Sequence, residues 1–129
     1  MGYKDYLKEL TDCTPNDCGI KAVQNITKKP YKQIVKKAGN AYNTKDGMKA
    51  FMIELLLSSM GIKFISNRQD LIGKTLYQTQ TILKEEPNVK ILASIKVRGT
   101  EHAVTFVDGK WHNTFEQYRK KITYATEWK

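Results

Sequence analysis

Scarcity bounds this chain before any motif does. Two cysteines, Cys13 and Cys18, in 129 residues exclude a disulfide-rich framework. The two histidines, His102 and His112, complete a Cys2His2 set with them. Cys-x4-Cys and His-x9-His are nevertheless poor spacings for structural zinc, and a Cys13–Cys18 disulfide at a loop-to-helix junction is the other minor reading. Apolar runs are short, Leu55-Leu56-Leu57 among them, far below what a bilayer crossing needs. The N-terminal stretch has no apolar signal-peptide core, so a cytoplasmic protein, with no membrane partner, is expected. Asn25-Ile26-Thr27 matches a glycosylation acceptor, but without a secretory signal it reads as part of a helix. No repeat, low-complexity tract or linker divides the chain, so a single domain over 1–129 is expected. Acidic residues are missing between residues 18 and 45, although the chain as a whole carries 13 against 22 basic ones, a formal charge of +9.

What is present favours a folded globule, with 40% hydrophobic and 10% aromatic residues. Thr11 to Asn16, polar and containing Pro15, reads as a loop that ends in a helix cap at Asn16 or Asp17. A first helix is predicted from about Cys18 to Thr27. Pro30 suits the first turn of a second helix over 31–38, and Gly39 permits the turn after it. A third helix is predicted from Thr44 or Lys45 to Met60, ending at Gly61. Met48, Phe51, Met52, Leu55, Leu56 and Met60 recur along it at helical spacing, with Ile53 and Leu57 widening the apolar face. Ile62 to Ile65 reads as a short strand and Leu76 to Lys84 as a helix ending before Pro87.

Beyond Pro87 the period changes from 3.6 to 2. Val89, Ile91, Ala93, Ile95 and Val97 alternate as in a strand. A second strand follows through His102 to Val107, and Asp108-Gly109 is a two-residue hairpin turn into Lys110 to Thr114. Ile122 to Ala125 returns as another strand. Helices first and an antiparallel sheet second make an α+β domain.

One local geometry suggests chemistry. Cys18 stands where a turn-rich loop becomes a helix, and the amides of a helix N-terminus favour a thiolate and then an oxyanion. His102 can accept the thiol proton, and Asn113, eleven residues on and across the hairpin, can orient its other ring nitrogen. In this scheme Cys18 attacks an acyl carbon, and His102 protonates the leaving group and activates water. Residue types alone leave Cys18 open to structural burial, His102 to a local hydrogen bond and Asn113 to a turn role.

The segments Asn16-Asp17-Cys18-Gly19-Ile20-Lys21-Ala22-Val23, Glu86-Pro87 before the Val89–Val97 strand, and Glu101-His102 through Phe115 resemble the small papain-like cysteine peptidases. Compact phage and bacterial relatives of the bacteriocin-processing peptidases are included in that resemblance. It implies a papain-like fold with N-terminal helices packed against the C-terminal sheet, a peptide or protein substrate, and no cofactor. By resemblance Cys18 matches the nucleophile, His102 the base and Asn113 the orienting residue. A phage-like protein working in the host cell cytoplasm is the implied setting. Papain-like enzymes commonly place a glutamine upstream of the nucleophile, whereas here Thr11, Asp12, Cys13, Thr14 and Asn16 fill that neighbourhood. Asn16 is the oxyanion candidate in its place, because an ionised Asp12 would oppose the developing charge. The same departure fits a catalytically inactive papain-like protein that binds or inhibits a host macromolecule.

Lys28, Lys29, Lys32, Lys36 and Lys37 form a basic cluster, with Tyr31 among them. A solvated helix face is the ordinary reading, and nucleic acid or an acidic host protein are the partners such charge attracts. Trp111, Phe115 and Tyr118 either close the core or border a pocket near His102.

Overall fold

In a computed structural model, the structure describes residues 18–39, 50–97, 99–112 and 118–129. The chain divides into two compact units, 1–61 and 62–129.

The first unit contains three described helices, α1 (Cys18–Thr27), α2 (Tyr31–Ala38) and α3 (Ala50–Ser59). α1 packs against both α2 and α3, and its residues are buried without a break from Gly19 to Ile26. Even Gln24 and Asn25 are buried, so α1 presents no solvent face of the kind a surface helix keeps. The helix closes where the Lys28 amide donates to the Gln24 carbonyl at 2.7 Å, with Lys28 left-handed at φ 62°. Pro30 is extended (ψ 146°) and precedes α2 instead of lying inside its first turn. Gly39, at φ 55°, ends α2 and donates its amide to the Val35 carbonyl.

α3 corrects the predicted stripe. Ile53, Leu56 and Leu57 are buried, whereas Phe51 and Leu55 are 56% and 65% exposed. A helix so evenly apolar fits two overlapping 3.6-residue templates, and the 53, 56, 57, 60 stripe turns inward. Its predicted start at Thr44 or Lys45 lies outside the described residues.

Among the described residues, the second unit is a five-stranded antiparallel sheet with one α-helix. Its strands are β1 (Phe64–Asn67), β2 (Lys90–Val97), β3 (Thr100–Val107), β4 (Lys110–His112) and β5 (Ile122–Trp128). They are ordered β1-β5-β2-β3-β4, so the last strand inserts between the first two. The register sets Ile91 opposite Phe106, Ala93 opposite Val104 and Ile95 opposite His102. Period-2 alternation therefore gathers Ile91, Ala93, Ile95, Val104 and Phe106 on one face. Leu71, Leu76, Leu83, Trp111, Ile122 and Ala125 join them in one core.

α4 (Leu76–Leu83) starts with a capping box. The Thr75 hydroxyl accepts from the Gln78 amide at 3.1 Å, and the Gln78 side chain accepts from the Thr75 amide at 2.9 Å, satisfying two donors that a bare helix end would leave open. Trp111 is 4% exposed and belongs to the core. Its indole N–H donates to Thr79 Oγ1 at 3.0 Å, and its ring meets Phe106 edge-on at 5.5 Å. Asp108 and Gly109 have φ of 56° and 82°, the positive pair that a type I′ hairpin turn demands.

The opposite face is buried as well. Leu92, Ser94, Ala103, Thr105 and Thr126 are all at most 7% exposed, where simple alternation predicts a polar, solvated side. Small hydroxyl residues tolerate this when bonded; Thr126 Oγ1, for example, accepts from the Trp128 indole at 2.8 Å. Together the two units make an α+β chain, helices before sheet. Among the described residues no helix is long and apolar enough to cross a membrane.

Candidate active site

Cys18 is the first residue of α1, its side chain half-buried as a thiol. The amides of the following turn point back toward the start of the helix, where they contribute partial positive charge. No acidic residue occupies that first turn, so nothing within it offsets the field. A nucleophile at this position is held by the helix backbone instead of by a loop, which fixes its direction. The burial of α1 from Gly19 onward further restricts its motion.

His102 is placed by the second unit. It lies near the start of β3, half-buried, opposite Ile95 and on the face that carries Val104 and Phe106. Two buried aliphatic neighbours on its strand face, Ile95 and Val104, constrain the backbone that carries the ring. Glu101, on the other face, is exposed and opposes Lys96 across β2. The sheet thus separates the histidine from the adjacent carboxylate by strand alternation.

Asn113 and the oxyanion candidate Asn16 lie outside the described residues, as do Cys13, Asp12, Thr14 and Phe115. The last described residue of the hairpin, His112, opposes Thr105. His112 uses its ring in this hairpin, Nε2 lying 2.9 Å from the Val107 carbonyl. Tyr118 packs half-buried against the core. Among the described residues no group of three or more His, Cys, Asp or Glu side chains is arranged to hold a metal ion.

A charge cluster in the second unit is invisible in the sequence. Arg68, its side chain 10% exposed, sits between Asp70, Glu86 and Glu127. Nε and one terminal nitrogen donate to the two Asp70 oxygens at 3.0 and 2.9 Å. The terminal nitrogens also donate to Glu86 at 3.3 and 2.9 Å and to Glu127 at 3.0 Å. All five guanidinium N–H groups are thereby used. Bonding to Arg68 holds the Asp70 carboxyl below its ordinary range despite the opposing effect of burial, and the same partners raise the Arg68 pKa. The backbone of Arg68 adds a bond to the Ala125 carbonyl at 2.9 Å. The cluster ties the end of β1, the loop before β2 and the last strand together. Residues 18 and 59 positions apart carry no local pattern that would reveal it, beyond the short Arg68-x-Asp70 pair.

No protein-family model matches this chain, and no curated protein or solved structure matches it.

Proposed function

We propose that the chain is a cysteine-dependent hydrolase of papain-like fold that cleaves a peptide, isopeptide or related amide bond. The observation that carries this reading is Cys18 at the first position of a helix whose following residues are continuously buried. A rigid helix N-terminus is where a thiolate and the oxyanion it generates both gain from backbone dipoles. The order of helices before an antiparallel sheet, with His102 near the start of a sheet strand, supports the same assignment.

In the proposed reaction His102 accepts the Cys18 proton and the sulfur attacks the acyl carbon. The tetrahedral oxyanion is bound by amides at the start of α1, with Asn16 as a side-chain donor. Collapse breaks the C–N bond as the imidazolium returns its proton to the leaving amine. Water, deprotonated by His102, then hydrolyses the thioester and restores the thiol. Asn113 orients the imidazole throughout.

The missing upstream glutamine favours a second reading, a non-catalytic binding or inhibitory protein on the same framework. Acyl probes bearing peptide and isopeptide leaving groups separate the two. Intact-protein mass spectrometry is expected to find one adduct on Cys18, absent in Cys18→Ala and strongly slowed in His102→Gln. Absence of a Cys18 adduct across the probe series, or labelling unaffected by His102→Gln, refutes the hydrolase and leaves the binding role.

A further inference from the structure

We infer that the first unit carries a binding surface for the phosphodiester backbone of nucleic acid, centred on a cleft lined by Lys29, Gln33, Lys36, Lys37, Ser59 and Met60. The cleft, about 570 Å³, is formed by α2 and the end of α3. Between residues 18 and 45 the chain has seven lysines and no acidic residue; Lys21 is buried, and Lys28, Lys29, Lys32, Lys36 and Lys37 are exposed. Such concentration is what a polyanion meets first, through long-range attraction and counterion release.

The backbone presents these lysines in a fixed array. Lys28, held left-handed at φ 62°, closes α1, and the Lys29 amide donates to Thr27 Oγ1 at 3.2 Å. This sets the two lysines just ahead of Pro30 and α2. On α2, Lys32 and Lys36 are four residues apart, as are Gln33 and Lys37. Each pair therefore stacks along one helix face, about 6 Å apart on the axis. Lys29, Lys32, Lys36 and Lys37 are exposed.

The residue types suit this partner. The segment contains no arginine, so its contacts are made by ammonium point charges instead of a planar fork. An array of such charges with one neutral amide donor, Gln33, fits phosphate oxygens repeated along a strand, contacts that position a backbone without reading bases. The cleft also lies apart from the nucleophile. Lys29 follows the end of the helix that Cys18 begins, about 15 Å along its axis, so the surface does not depend on the hydrolase assignment.

Fluorescence anisotropy of labelled 20-nucleotide DNA and RNA, single-stranded and duplex, between 50 and 200 mM KCl tests the proposal. Binding of either form is expected, with a slope of log K against log salt of about −2 to −3 for three lysines on phosphates. Lys29→Gln/Lys36→Gln/Lys37→Gln is expected to flatten that slope by about 2 and to weaken binding at least tenfold at 50 mM. Circular dichroism melting is used to establish that the variant remains folded. The charge-matched control Lys110→Gln/Lys120→Gln/Lys121→Gln, all exposed on the second unit, is expected to keep the wild-type slope. No salt-dependent association at 50 mM, equal loss in the control, or polyglutamate of matched charge binding as tightly as the oligonucleotides would each overturn the proposal.

Discussion

Replacing Arg68 is expected to expose how the second unit is held together. Arg68→Ala removes five charge-assisted hydrogen bonds at 2.9 to 3.3 Å and leaves three carboxylates around the vacated centre. Breaking a buried ion pair from one side costs about 3–5 kcal/mol. Asp70 and Glu86 are 49% and 41% exposed and can turn toward water, so the lower figure of about 2–3 kcal/mol applies here. For a unit of this size that lowers the melting temperature by on the order of 10 °C.

The dependence on pH has a defined sign. Bonding to Arg68 lowers the folded-state pKa of Asp70, so its stabilisation is fully present above the unfolded value of about 3.9. That contribution is lost as pH falls through the lower folded value. Arg68→Ala lacks this Asp70 contribution at every pH, so its deficit against wild type shrinks as the wild type loses it below about pH 4. Urea unfolding followed by circular dichroism at pH 7 and at pH 3 measures both. Arg68→Lys, with three donors in place of five, is expected to recover less than half of the loss. Arg68→Met combined with Asp70→Asn, Glu86→Gln and Glu127→Gln is expected to recover most of it, because the charges then leave together. A deficit under about 0.5 kcal/mol at pH 7, or one that grows on acidification, would refute the reasoning.

Two further substitutions test local devices on which the sheet unit relies. Thr75→Ala removes the capping box at α4 and is expected to cost about 1 kcal/mol in urea unfolding; an unchanged midpoint would mean that the helix end is satisfied by water alone. Gly109→Ala places a side chain at φ 82°, with its Cβ 4.0 Å from the nearest atom, the Pro87 carbonyl oxygen. The cost is therefore conformational strain of about 1–2 kcal/mol, and Gly109→Asn, which tolerates that region better, is expected to lose less in the same assay.

Elements set by short-range chemistry are legible in the residues themselves. Cys18 to Thr27 and Tyr31 to Ala38 are helices at the predicted bounds, because a polar run of sequence, Pro30 and Gly39 punctuate them. The Asp108-Gly109 turn and the alternation through Ile91, Ala93 and Ile95 give the hairpin and its core face. Thr75 and Gln78 carry a capping-box spacing that marks the start of α4 directly. The strand near residue 62 is displaced to Phe64–Asn67, since its bounds follow from pairing with β5, a partner some sixty residues away.

The remainder depends on which surfaces meet, and composition does not encode that. α3 is apolar on nearly every side, so Leu55 and Leu57 are equivalent in sequence, yet one is 65% exposed and the other fully buried. Ser94, Thr105 and Thr126 read as the wet side of a half-buried sheet, yet all three are buried. Arg68 would be an ordinary surface residue if Glu86 and Glu127 were elsewhere. The same distinction governs the proposed site. The backbone setting of Cys18 is local and legible, since it is the first residue of a helix that falls at its predicted start. In the proposed reaction the reactivity of its sulfur depends on a proton acceptor 84 residues downstream, and His102→Gln tests that step directly: a Cys18 adduct that still forms at the wild-type rate would assign the thiol's reactivity to the helix terminus alone.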